Sequence, residues 1–136
     1  MNVKRMLAWF SVVMLLTMMV SSSFALEIEP RADEVFHRAS AALYSDKWVT
    51  YNCVTMITAS ELKITSSWLQ KKVDGSWVWQ CSLPTGGHVE RNSNNLLYDV
   101  DYSSYIIGAG TYRVGFIANA DGHAITRYSN ERTFSN

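Results

Sequence analysis

The feature that most constrains the fold is the dipeptide Asp74-Gly75, which lies between two apolar-rich runs, 64–73 and 76–83. Asp-Gly in this context is the strongest short-range signal for a β-hairpin, because a type I′ turn needs positive φ at both central residues. A two-residue turn would place Val73 opposite Ser76. The sequence therefore predicts an antiparallel hairpin in the middle of the chain.

This register also assigns side chains to the two faces of the hairpin. It predicts two further cross-strand pairs, Gln70 with Trp79 and Trp68 with Cys81. Because side chains alternate along a strand, one face carries Trp68, Gln70, Lys72, Trp77, Trp79 and Cys81. That face holds the large aromatic side chains and the cysteine, so the end of the face far from the turn is predicted to lie in the core. Near the turn, Lys72 beside Trp77 indicates that the same face reaches water.

Alternating apolar residues predict strands through the rest of the chain. The two clearest inward rows are Val49, Tyr51, Cys53, Thr55, Ile57 and Ala59, and Tyr112, Val114, Phe116 and Ala118. Residues 119–123 are predicted to form a five-residue loop, since a two-residue turn would place Arg127 against Phe116 on the core face. Residues 33–43 fit either a short helix or a first strand.

Together these elements predict an all-β fold. Two hairpins and several short strands, with turn signals every eight to twelve residues, are typical of a β-sandwich of about seven strands. No segment after Ala25 keeps a helical period over three turns. Residues 26–136 are therefore predicted to form a single sandwich domain.

Residues 1–25 have the pattern of a helical signal peptide. Lys4 and Arg5 precede an uncharged apolar run, 6–20, and the small residues Ser23 and Ala25 fit the cleavage pattern, so cleavage is predicted after Ala25. The run is short for a membrane span, which needs roughly 20 residues; an uncleaved anchor is the alternative. We expect a secreted, extracellular protein that has no membrane attachment after cleavage.

The charge of the remaining chain argues against nucleic acid as a partner. The whole sequence has twelve basic and twelve acidic residues. Loss of Lys4 and Arg5 leaves ten against twelve, a net charge of −2. Proteins that bind nucleic acid carry a basic surface instead.

Two stretches resemble known domains. Residues 110–122, Gly-Thr-Tyr-Arg-Val-Gly-Phe-Ile-Ala-Asn-Ala-Asp-Gly, resemble the penultimate strand and following turn of fibronectin type III and related immunoglobulin-like domains. Taken with residues 70–77 and with Pro30-Arg31-Ala32, the chain is similar to small secreted all-β proteins of Gram-positive gut bacteria, an uncharacterised family. This resemblance implies export and a sandwich fold. It supplies no catalytic residues, and sandwich folds have many unrelated functions.

Cys53 and Cys81 are the only cysteines. Each lies on a predicted inward face of a chain bound for an oxidising exterior, so a disulfide between them is predicted. Its loop would stabilise the fold by about 3.6 kcal/mol. Two free buried thiols are the alternative.

The sequence predicts no catalytic, cofactor or metal site. His37, His88 and His123 are far apart in sequence, and Asp99 with Asp101 supplies too few oxygens for Ca²⁺. No nucleophile motif such as G-x-S-x-G occurs. An enzyme is therefore not expected, although two converging carboxylates on a small glycan- or peptide-cleaving enzyme are an open alternative.

The tryptophans carry the functional expectation. Trp68 and Trp79 are predicted to fill the core, whereas Trp77, with Lys72 as a charged rim, is the candidate binding surface. We expect a non-catalytic extracellular module that binds a protein or glycan, whose identity and oligomeric state the sequence leaves open. The structural alternative is a cell-surface protein that assembles through edge strands, with the Ser- and Thr-rich first strand as the candidate.

Overall fold

The computed structural model describes residues 31–136, so the predicted signal peptide and its cleavage site after Ala25 lie outside the described residues. One short helix, α1 (Ala32–Val35), precedes the strands. The seven strands are β1 (Phe36–Leu43), β2 (Trp48–Val73), β3 (Ser76–Leu83), β4 (Val89–Asp101), β5 (Gly110–Ala120), β6 (His123–Tyr128) and β7 (Arg132–Phe134). The all-β prediction is confirmed, and residues 33–43 contain both a helical turn and a strand.

The 26-residue strand β2 organises the sheet. Its first half pairs with β1 and β4, and its second half pairs with β5 and β3. Strand β5 in turn pairs with β6 and β7. All pairings are antiparallel, and the seven strands form one sheet that curls into a half-barrel. A β-sandwich divides its strands between two separate sheets. Here all seven strands belong to one sheet, because β2 is long enough to pair in both of its halves.

The sheet curls because β2 is irregular near its middle. Its pairing with β4 shifts between Val54 and Ala59, and its pairing with β5 shifts between Ile64 and Ser66. Such bulges bend a strand and increase its twist. Ile57, predicted to point inward, is 68% exposed at this bend, so the predicted inward row is wrong at that residue.

The core lies on the inner face of the curled sheet. Its largest fully buried side chains are Tyr51, Tyr102, Phe116, Leu43, Leu62, Leu69, Leu96 and Ile106. The predicted inward row of β5, from Tyr112 to Ala118, is confirmed. Tyr102 and Ile106 come from the β4–β5 loop, which therefore contributes to the core.

A network of hydrogen-bonded hydroxyl groups crosses this core. The Tyr51 hydroxyl lies 2.6 Å from Ser67 Oγ and 2.8 Å from the Tyr102 hydroxyl, which donates to the Pro84 carbonyl at 2.7 Å. Buried hydroxyl groups are costly unless they are bonded. The network therefore allows two tyrosine hydroxyls inside an apolar core and ties the β3–β4 loop to it.

The central hairpin confirms part of the predicted register. Asp74 and Gly75 both have positive φ, 51° and 79°, as the type I′ turn requires. Val73 pairs with Ser76, and Gln70 pairs with Trp79, as predicted. The predicted pair of Trp68 with Cys81 is wrong, because a register shift between Leu69 and Gln70 makes Gln80 an extra residue on β3. Leu69 therefore pairs with Cys81, and Trp68 with Ser82.

The last hairpin differs from its prediction. Asp121 and Gly122 form a two-residue turn with positive φ, and Phe116 therefore pairs with Arg127 rather than with Thr126. The sheet tolerates this register because β6 lies at its edge, where Arg127 stays exposed opposite a buried phenylalanine.

Candidate functional site: an aromatic and cationic outer face

The tryptophans of the central hairpin lie on the outer face of the sheet. Trp79 pairs with Gln70, whose neighbour Leu69 is buried, so Trp79 lies on the face opposite the core and is 59% exposed. Trp68 and Trp77 are half-buried on the same face. The prediction that Trp68 and Trp79 fill the core is therefore wrong, since Leu69 takes that place.

Trp68 crosses the sheet by passing over a glycine. It pairs with Gly115 on β5, which in turn pairs with Tyr128 on β6. The indole meets the Tyr128 ring edge-on, with centroids 6.1 Å apart and an interplanar angle of 84°. This geometry is the preferred one for aromatic pairs, and it needs a residue without a side chain in between.

Arg113 lies between two aromatic rings. Its guanidinium carbon is 4.0 Å from the centroid of Tyr128 and 4.4 Å from that of Trp77. Its Nε donates a 2.7 Å hydrogen bond to Gln70 Oε1. Cation–π attraction operates within about 6 Å of a ring centroid, so Arg113 links the aromatic residues of β3 and β6 across the sheet.

Lys72 adds a second cation to the same tryptophan. Its ammonium group is 5.5 Å from the Trp77 centroid and forms an ion pair with Glu131 at 3.3 Å. Lys72, Trp77, Arg113, Tyr128 and Trp68 thus form a continuous series of contacts across β3, β2, β5 and β6, here called the outer ladder.

The two predicted surface residues, Trp77 and Lys72, do lie together, but Trp77 already contacts two cations. Trp79 contributes more accessible aromatic surface beside the ladder, opposite Gln70. Sequence reasoning missed Arg113 and Tyr128. The signal that could have found them is Gly115, a glycine inside a strand, which often marks a close approach of another group.

The predicted disulfide is wrong in this structure, because both cysteines are free thiols. Cys53 lies in the first half of β2, paired with Ala39 and Leu96, whereas Cys81 pairs with Leu69 near its other end. A disulfide needs Cα atoms within about 7 Å. Burial raises the pKa of the Cys53 thiol to about 12 and also raises the pKa of Cys81, so neither thiol is activated.

The remaining polar candidates make local contacts. His88 stacks on Tyr98 at 4.8 Å and lies 2.7 Å from Glu90 Oε1. Asp99 accepts a hydrogen bond from Thr50. Asp101 accepts one from the Ser103 amide, and its bonds to Ser103 lower the pKa of the Asp101 carboxyl. Within residues 31–136, no group of three histidine, cysteine or acidic side chains is placed to hold a metal ion.

An apolar groove of about 190 Å³ lies beside the irregular part of β2, lined by Val35, Ile57, Ala120 and His123 among others. Asp121 also lines the groove, and its carboxylate accepts hydrogen bonds from the amides of Ser60 and Glu61, each at 2.9 Å. That carboxylate therefore connects the β5–β6 turn to β2 beside the groove.

No family model, no curated protein and no solved structure matches this chain. Over the part of the chain that the structure describes, no helix is long and apolar enough to cross a bilayer.

Proposed function

We propose that this protein is a non-catalytic extracellular binding module, and that the outer ladder with Trp79 is its contact surface. The observation that supports this most is the exposure of Trp79, 59%, beside an arginine already held between two rings. Tryptophan, tyrosine and arginine are the residues most enriched at binding hot spots. Extracellular location is supported by the signal-peptide pattern of residues 1–25.

The ladder is suited to binding because its side chains are already ordered. Arg113 is fixed by Gln70 and by two rings, and Lys72 by Glu131 and Trp77. Ordering a long side chain on binding costs about 0.5–1.5 kcal/mol. A surface that is ordered beforehand avoids that cost and binds more tightly for the same contacts.

The charge of the ladder indicates the kind of partner. Lys72 and Arg113 supply two positive charges, and Glu131 offsets one of them. A partner that combines a flat apolar surface for Trp79 with an acidic group for Arg113 would complement it. A protein or a glycan can provide both features.

The fold identity belongs to the same proposal. We propose that the sheet is a variant of the immunoglobulin-like or fibronectin type III-like fold from the small secreted proteins of Gram-positive bacteria. The support is the resemblance of residues 110–122, which form β5 and the turn after it, together with the number of strands and their antiparallel pairing.

The test is a pull-down and glycan-array screen with wild type and three variants in parallel. Trp79→Ala should abolish most binding, and Trp77→Ala should weaken it by releasing Arg113. Trp48→Ala is the matched control, because Trp48 is 42% exposed but takes no part in the ladder. Binding that ignores Trp79→Ala would contradict the proposed surface, and turnover of a glycan or peptide would contradict the non-catalytic part.

A further inference from the structure

Strand β3 lies at an edge of the sheet and is unusual for an edge strand because it carries no charge. Its pairing within residues 31–136 is with β2 alone, which leaves its outer side open. Its sequence, Ser-Trp-Val-Trp-Gln-Cys-Ser-Leu, has no charged residue, and each of the other six described strands has at least one. Proteins normally protect a sheet edge with charges, proline or a covering segment, because an open apolar edge pairs with another chain.

The other outer strands are protected in these ways. The end of β1 is covered by side chains from the segment after β6. Asn130 accepts a hydrogen bond from the Leu43 amide and donates one to the Leu43 carbonyl, and Arg132 donates a second one to that carbonyl. Strand β4 carries four charged residues, and β6 carries Arg127. Strand β7 carries Arg132. Strand β2 is paired on both sides over residues 49–54 and 67–71. The open edge is therefore specific to β3.

The hairpin register determines which groups of β3 face outward. Val73 and Ser76 flank a two-residue turn, so they form a hydrogen-bonded pair, and such pairs alternate along the ladder with non-bonded ones. Val78 is thus bonded to β2, whereas Trp77 and Trp79 direct their backbone N–H and C=O groups away from it. Within residues 31–136 these four strong hydrogen-bonding groups have no strand to pair with. The Trp79 carbonyl accepts only a long side-chain hydrogen bond, 3.4 Å, from Gln80.

The sequence around Val78 reads the same in both directions, Trp-Val-Trp. We propose that two copies of this chain pair antiparallel through β3, with a two-fold axis at Val78. Trp77 then pairs with the partner subunit's Trp79 by two backbone hydrogen bonds, and Val78 lies opposite its own copy. An interface across a two-fold axis must be self-complementary, and a palindromic strand without charge meets that condition without like-charge repulsion. The bulge at Gln80 ends the regular part of the pairing.

This dimer would join two half-barrels into one continuous sheet. The four tryptophans of the two central segments would then lie side by side on the outer face, next to both ladders. The dimer does not depend on the proposed ligand surface, since backbone hydrogen bonds form it. It also predicts that the exposed Val78, 43% exposed in a single chain, is covered in solution.

The first test is sedimentation equilibrium of the purified protein over a range of concentrations. We expect the wild type to approach the mass of a dimer as the concentration rises. The Val78→Lys variant should keep the mass of a monomer, because the substitution places two like charges at the two-fold axis. Val73→Lys is the matched control: Val73 is in the same hairpin with the same 43% exposure, but it is on β2, so it should dimerise as wild type does. A wild type that stays single at every concentration overturns the proposal. So does a dimer that survives Val78→Lys or is lost equally with Val73→Lys.

The second test traps the dimer without weakening it. In a Cys81→Ser background, Val78→Cys should form a disulfide-linked dimer on mild oxidation, because Cα atoms of a non-bonded antiparallel pair are about 4.5 Å apart. Val73→Cys in the same background should remain single. Equal cross-linking of both variants would show random collision and would overturn the two-fold pairing.

Discussion

The indole of Trp68 lies so close to the backbone of Gly115 that a Cβ on Gly115 would be 2.3 Å from its Cε2 atom. No real Cβ contact is that short, so the glycine provides space. With no side chain at this position of β5, Trp68 reaches across to Tyr128 and completes the outer ladder. The absence of a side chain at Gly115 therefore decides whether Trp68 can contact Tyr128.

Gly115→Ala should displace Trp68 and destabilise the fold by about 1–3 kcal/mol, the usual cost of overpacking a fitted site. Urea unfolding followed by tryptophan fluorescence measures it. In a Trp68→Ala background the same change should cost almost nothing, because the clash is gone. An equal cost in both backgrounds would contradict this contact.

Asp121→Ala should loosen the bend of β2. The carboxylate of Asp121 accepts hydrogen bonds from the backbone amides of Ser60 and Glu61. The backbone amide of Asp121 donates a hydrogen bond to the Glu61 carbonyl at 3.1 Å. We expect a loss of about 1 kcal/mol and faster hydrogen exchange at the Ser60 and Glu61 amides. Asp121→Asn should lose less, since asparagine also tolerates positive φ and keeps one acceptor. Unchanged exchange at both amides in Asp121→Ala would show that the carboxylate does not hold the bend.

The sequence predicted local features well and long-range ones poorly. The Asp74-Gly75 turn and the inward row of β5 follow from turn chemistry and alternation, and both are confirmed. Alternation correctly puts Trp77 and Trp79 on one face of the hairpin, but it does not show which face packs inward. The core lies on the side of Leu69, so both tryptophans are on the outer face. The two-residue turn at Asp121 was missed because the exposure of Arg127 depends on β6 being an edge strand, which only the assembled sheet shows.

The candidate site was partly predictable for the same reason. Trp77 and Lys72 are neighbours across a hairpin, and their proximity follows from its register. Arg113 and Tyr128 come from strands more than thirty residues later, and their contact with Trp77 requires β5 to pair with β2. No local pattern specifies that pairing.

The two thiols should differ in reactivity. Burial raises the pKa of Cys53 to about 12, against an ordinary value of 9.0, so at pH 8 it is almost wholly protonated and also inaccessible. We expect iodoacetamide to label Cys81 slowly in the native protein and to label both cysteines in urea without reductant, as peptide mass spectrometry would show. Absence of any labelling in urea would mean that the two are bonded after all.

Alkaline pH should unfold the protein through two buried tyrosines, Tyr51 and Tyr102, and the half-buried Tyr98. Burial raises the pKa of Tyr51, Tyr98 and Tyr102 above the ordinary value of 10.0. The unfolded chain releases these protons near pH 10 and the folded chain does not, so their contribution to stability is intact below pH 10 and is lost as the pH rises above it. Absorbance at 295 nm should show these three of the seven tyrosines ionising only on unfolding. Ionisation of all seven near pH 10 with the fold intact would contradict their burial.

The central claim is that the outer face, with Trp79 as its most exposed aromatic residue, binds the partner. The most direct measurement is the dissociation constant of the first partner found by the screen, for wild type, Trp79→Ala and Trp48→Ala. If Trp79 is a hot spot worth about 2 kcal/mol or more, its loss should weaken binding about thirtyfold, while Trp48→Ala should match wild type. Equal affinities for wild type and Trp79→Ala, or an equal loss in both variants, would contradict the claim.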